Sequence, residues 1–320
     1  MSVRTVLGDV EASSLRAVYM HEHLILDNAL IANDYPHIHL PSVDEAVAEV
    51  TPCASEGVGC MVDAMPAAGG RRPGRLAEIS ERTGVAIIAM TGLHTPKYYI
   101  HHPWAITAEP DVLADLFVAD IVEGIDEYDY TGPVVERTTV RAGMIKVATE
   151  GAELTDRERR VVTAAAVAAN RTGVQILTHC EDGVGAMEQL SFLAGLGFPL
   201  DRVVVSHTDK VTDLGYHRDI MATGAFVEYD QALRRPPGKD NDTARVAAAM
   251  VRDGFGDRIM FGTDGARRTL WSSLGGAPGL VWMRTGFIDA LAAHGIGGAE
   301  IDTMFTTNPQ RFLTMHEARA

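Results

Sequence analysis

Cysteine is scarce in this 320-residue chain, which has three (Cys53, Cys60 and Cys180) at unrelated spacings. They form neither a disulfide framework nor a CxxC metal knuckle, which fits a reducing compartment and an expected cytoplasmic location. Basic residues are also few: 28 Lys+Arg against 43 Asp+Glu leave a formal net charge of −15. A surface that acidic repels a phosphate backbone and an anionic membrane alike, so neither nucleic acid nor a membrane is an expected partner. Nowhere do about 18 apolar residues run together to span a bilayer. The nearest candidate, 161–169, reads as an Ala-rich amphipathic helix. Residues 1–10 lack a basic stretch followed by an apolar one, so no secretory leader is expected. A dinucleotide fingerprint is missing too, since Gly69-Gly70-Arg71-Arg72-Pro73-Gly74 is glycine-rich without the GxGxxG spacing. There is no Gly/Ser linker, charge block or internal repeat, and one domain is expected over 1–320.

What is present is apolar content of 46% against 22% charged, enough for a large core. Eight short apolar runs, rich in β-branched residues, occur at 16–23, 58–65, 85–91, 142–147, 174–179, 203–207, 225–229 and 259–263. Several are apolar at almost every position, as a parallel strand buried on both faces is. Helical patterns fill the gaps at 42–55, 72–83, 110–128, 155–171, 185–196, 214–222 and 243–253, with 280–294, 298–304 and 308–315 after the last run. Eight strand–helix units without a linker predict an α/β fold, a single (β/α)8 TIM barrel. Arg235-Pro236-Pro237-Gly238-Lys239 marks a long loop after the seventh strand.

Barrel enzymes carry chemistry at the C-terminal ends of their strands, so each run is tested by the residue that ends it. The first ends in His21-Glu22-His23, whose two histidines, at i and i+2 on a strand, point the same way. The fourth ends at Lys146, the fifth at His179 and the sixth at His207, and the eighth delivers Asp264 from Gly262-Thr263-Asp264-Gly265. Imidazole and carboxylate together suit zinc, manganese, cobalt or iron, and four histidines with an aspartate exceed what one tetrahedral ion needs. Two divalent ions are expected. A free ammonium on Lys146 would repel them and is costly to bury unpaired. Reaction with CO2 removes the conflict, because a carbamate is an anion whose two oxygens can bridge both ions.

These residues resemble the phosphotriesterase family of the amidohydrolase superfamily, which includes phosphotriesterase-related proteins and phosphotriesterase-like lactonases. The likeness lies in Met20-His21-Glu22-His23-Leu24, in the lysine strand Ala142-Gly143-Met144-Ile145-Lys146-Val147-Ala148-Thr149, in Thr178-His179, in Ser206-His207-Thr208-Asp209, in Asp264, and in Thr307-Asn308-Pro309 with Arg311-Phe312-Leu313. It implies His21, His23 and Asp264 on the more buried metal and His179 and His207 on the more exposed one. The Lys146 carbamate and a hydroxide would bridge them, with Asp264 taking the proton from the attacking hydroxide. It also implies a small-molecule lactone or ester substrate and a homodimer. The alternatives are a phosphotriester hydrolase and a barrel that binds a ligand without catalysis, which any widespread fold permits.

Other residues carry less. Tyr98, after the third run, stands near where the lactonases of the family place a tyrosine close to the metals. Arg267 and Arg268 follow Asp264 and could clamp an anionic group, or pair with surface acids; Arg234 and Arg235 invite the same two readings. His37-Ile38-His39 and His101-His102-Pro103 lie in loops, as surface or pocket rim. Cys180 alternates with His179 and is expected in the core.

Overall fold

The computed structural model describes residues 2–319 apart from 236, 237 and 239. Pro236, Pro237 and Lys239 of the expected seventh loop therefore lie outside the described residues. Eight strands follow in order: β1 Ala17–Glu22, β2 Val58–Asp63, β3 Ala86–Leu93, β4 Met144–Thr149, β5 Gln175–Cys180, β6 Val203–Ser206, β7 Phe226–Tyr229 and β8 Ile259–Phe261. Each pairs in parallel with the next. Beyond the end of β8, the Thr263 and Asp264 N–H groups donate to the His21 carbonyl at 3.1 and 2.9 Å. The sheet is thereby curled almost shut into the expected barrel, and the same two bonds bring Asp264 beside His21. Helices α1 Val43–Ser55, α2 Pro73–Thr83, α3 Pro110–Val122, α4 Asp156–Thr172, α5 Ala186–Gly195, α6 Leu214–Ala222, α7 Asp242–Arg252 and α8 Gly286–Ala293 flank it.

Strand periodicity divides the apolar residues into two layers. Val18, Met20, Val62, Ile88, Met90, Met144, Leu177, Val204 and Met260 fill the barrel, while their neighbours Tyr19, Met61, Ile87, Ile145, Ile176, Val205 and Phe261 pack against the helices. In β1 the alternation slips. Tyr19 pairs with Met61 but Glu22 with Asp63, so β1 holds one residue more than β2 across this step. Such a bulge re-aims the side chains beyond it. Here Met20 packs into the interior cluster and the next residue, His21, also faces inward, its ring 4.9 Å from that of His207.

Three expectations need correction. A two-stranded antiparallel hairpin, Ser2–Thr5 with Gly8–Glu11, precedes the barrel unannounced. The helix expected over 110–128 stops at Val122, because Gly124 turns at φ +137° so close beneath Thr138 that any Cβ would collide with its carbonyl. The stretch 280–294 is split into a 3-10 turn, Leu280–Arg284, and α8. The Leu280 N–H donates to Glu49 of α1 at 2.7 Å and its carbonyl accepts from the Tyr19 hydroxyl at 3.2 Å, so side chains from elsewhere hold the backbone groups that would begin a longer helix. No described helix is long and apolar enough to cross a membrane.

Candidate metal centre

The barrel delivers the six candidate residues to one rim. A cavity of about 330 Å3 at the C-terminal ends of the strands is lined by His23, Lys146, His179, His207 and Asp264, among others. His21 is fully buried, with Nε2 at 3.3 Å from Lys146 Nζ. His23 Nε2 stands 3.4 Å from Asp264 Oδ1. Two sets of donor atoms, His21/His23/Asp264 and His21/His207/Asp230, each fall within 4.8 Å of one another, close enough to share an ion.

The tautomers of two of the rings follow from what lies behind them. His207 Nδ1 meets Asp230 Oδ1 at 2.8 Å, and His179 Nε2 meets Glu181 Oε2 at 2.6 Å. Each ring therefore donates its N–H to a carboxylate, which leaves His207 Nε2 and His179 Nδ1 as the lone-pair nitrogens. Those two nitrogens face each other at 2.8 Å. Two lone pairs do not bond to one another; a cation they both ligate satisfies the arrangement, and a carboxylate behind a ligating imidazole is the usual support for such a ring. Burial pushes His21, His179 and His207 well below the ordinary imidazole range, and His23 below it, so the rings are neutral, as ligands must be. The residues present fit a pair of metal ions.

Lys146 is fully buried and burial pulls its ammonium down to about 8. For Asp264 burial acts upward, but Arg234, His207 and His23 outweigh it and hold the carboxyl well below its usual range. Arg234 donates to Asp264 Oδ2 at 2.5 Å and to its carbonyl at 2.6 Å, so this arginine is a fastening for Asp264.

The remaining candidates separate. Tyr98 and Arg267 line the cavity. Arg268 does not: its guanidinium donates to the His39 carbonyl at 2.8 Å. Arg235 is likewise spent on the Asp209 carbonyl at 2.8 Å. His37 is at the rim, His39 pairs with Asp27 at 3.0 Å, and Cys180 is buried among the apolar residues.

Sequence reading missed His94, Glu181, Glu228 and Asp230. His94 lines the cavity, its ring 4.6 Å from that of His179 and 4.7 Å from that of Tyr98. Its Nδ1 accepts from the Thr95 N–H at 2.7 Å, which leaves the proton on Nε2. Three of the four stand one position beyond an observed strand, β3, β5 or β7, where the strand-end test finds them once the strand ends are known.

A histidine-rich site on the C-terminal rim of a single barrel defines the class. Residues 1–313 match the model of the phosphotriesterase family, and the chain belongs to that family. A phospho-furanose lactonase of Mycoplasmopsis agalactiae is 31% identical over 326 residues, 99% of this chain and 92% of that protein. The crystal structure of an amidohydrolase from Mycoplasma synoviae superposes with a TM-score of 0.93 at 27% identity, covering 99% of this chain and 93% of the other. A lactonase from Listeria monocytogenes gives 0.89 at 25% identity over 99% and 100%. The family and these names indicate a hydrolase.

Proposed function

We propose that the protein is a metal-dependent hydrolase that opens a lactone, or cleaves a carboxylic ester, carrying an anionic group. The observation that carries this reading is the pair of lone-pair nitrogens on His179 and His207, backed by Glu181 and Asp230, beside a second donor set of His21, His23 and Asp264. His21, His23 and Asp264 would hold one divalent ion and His179 and His207 the other, zinc, manganese, cobalt or iron, with a CO2-derived carbamate on Lys146 bridging them. When bound, the ions lower the pKa of a water towards neutrality and polarise the scissile C=O. The chain does the rest. Asp264, fixed by Arg234, takes the proton of the attacking hydroxide and passes it to the leaving alkoxide. His94 and Tyr98 form a wall of the cavity above His179.

The anionic group is suggested by the charges at the mouth. Lys97 is neutralised by Glu181 at 2.7 Å and Arg234 by Asp264. Arg267 makes no side-chain hydrogen bond or ion pair with the described residues, and lines the same cavity. An exposed cation free to bind a phosphate or carboxylate fits the name of the phospho-furanose lactonase relative. Arg267→Ala is accordingly expected to lower kcat/KM for a phosphorylated sugar lactone about tenfold, the order of one hydrogen bond to a charged group. Hydrolysis of a neutral aryl ester should stay within about twofold. Equal losses on both substrates would remove Arg267 from recognition.

The direct test is metal analysis joined to a substrate screen. About two equivalents per chain are expected, lost to a chelator together with activity and restored by zinc. Phosphorylated lactones should rank above plain lactones, N-acyl homoserine lactones, aryl esters and phosphotriesters. A folded, metal-free chain that binds a ligand and hydrolyses none of these would establish the non-catalytic barrel instead.

A further inference from the structure

Glu228 lies within β7, fully buried, and neither of its carboxylate oxygens has a hydrogen-bond partner among the described residues. A buried polar group left in that state costs the fold free energy, so its presence asks for a reason outside stability. The nearby donor is the equally unpartnered Nδ1 of His21, 3.4 Å from Glu228 Oε2; Asp230 Oδ2 is 3.7 Å from the same nitrogen. The other nitrogen of that ring, Nε2, faces Lys146 Nζ. Space for the pair comes from Gly262 on the neighbouring chain segment. A Cβ there would collide with Glu228 Oε1 and stand 2.7 Å from His21 Cβ, so a side chain at 262 would push carboxylate and imidazole out of place.

We infer that Glu228 is a positioning residue for the more buried cation: it takes the Nδ1–H of His21, fixes the tautomer and aims the Nε2 lone pair into the site. It stands to His21 as Asp230 stands to His207 and Glu181 to His179, so that three of the four histidines have a carboxylate behind them. The inference rests on the metal reading proposed above. Loss of such a support weakens metal binding by about 10–100-fold.

The test compares the zinc-loaded protein with Glu228→Met and Glu228→Gln, measuring retained zinc against graded chelator–zinc buffers and the melting midpoint of each protein before and after stripping. Glu228→Met, which removes the acceptor, is expected to bind one of its two ions about 10–100-fold more weakly. Glu228→Gln, which has the same shape and keeps one acceptor oxygen, should fall between it and the parent. Both metal-stripped variants should melt no lower than the stripped parent, because no hydrogen bond of the metal-free fold has been lost. Metal retention equal to the parent in both variants overturns the inference and leaves the metal reading standing. Equal losses in both, accompanied by a lower midpoint of the stripped protein, mark a packing role and overturn it as well. A parent that retains no zinc overturns both together. Should Glu228→Met fail to fold, the isosteric Glu228→Gln decides, with retention equal to the parent as the contrary result.

Discussion

Lys146→Ala is expected to abolish metal retention and turnover together, with kcat/KM lower by about 10^3-fold or more. That is the order lost when about 4 kcal/mol of transition-state charge stabilisation disappears. The argument begins with what surrounds the amine. Lys146 is fully buried, and the one hydrogen-bond contact of its Nζ among the described residues is His21 Nε2, a basic nitrogen at 3.3 Å. Burial draws its pKa to about 8, so part of the population is free amine at neutral pH and can attack CO2. The new N–C bond forms as a proton leaves, and a cation among imidazoles becomes an anion among them. Alanine can do none of this. Metal content should fall to near zero equivalents per chain. Loading the parent with zinc in CO2-free buffer should likewise give slow, incomplete reactivation that bicarbonate completes. Full activity with two bound ions in Lys146→Ala would exclude the carbamate bridge.

The sequence makes the barrel visible because each strand is buried on both sides. A run such as 203–205 is apolar at every position, and its rhythm with the helices leaves little else to build. The six rim residues are visible for a related reason: they interrupt or end apolar runs at places where a polar group has no structural use. Partners from distant strands are not legible. Nothing in Phe226-Val227-Glu228-Tyr229-Asp230 says that Asp230 stands behind His207 or Glu228 beside His21, since those relations come from strand register and barrel closure. His94 escapes because the third strand continues to Leu93, two residues past the expected end. The inward turn of His21 depends on a bulge that strict alternation does not foresee. Arg267 and Arg268 look equivalent in sequence, yet the main chain sends one into the cavity and the other to the His39 carbonyl.

Arg71→Met is expected to be the most destabilising single change outside the site. Arg71 is 1% exposed, and its three donor nitrogens reach three separate elements. Nε donates to Asp129 at 2.8 Å, Nη2 to Asp120 of α3 at 2.7 Å, and Nη1 to the Met90 carbonyl of β3 at 2.5 Å. Asp129 in turn accepts from the Ala68 and Gly70 N–H groups at 2.9 and 3.0 Å, which pins the loop after β2. Asp120 also accepts from Thr91, Tyr130 and Arg137 at 2.6–2.8 Å. Methionine matches much of the stem but leaves two buried carboxylates short of their cation, and breaking a buried pair in this way costs about 3–5 kcal/mol. With an unfolding entropy of about 2.1 cal/mol/K per residue over 320 residues, the melting midpoint should fall by roughly 4–7 °C. Arg71→Lys should recover little of this, because one ammonium cannot reach three acceptors held in a planar fork. Metal content per folded chain should be unchanged in both variants, in contrast to Lys146→Ala. A midpoint within about 1 °C of the parent would show that Asp120 and Asp129 are satisfied without the arginine, through the hydroxyls, Arg137 and the backbone alone.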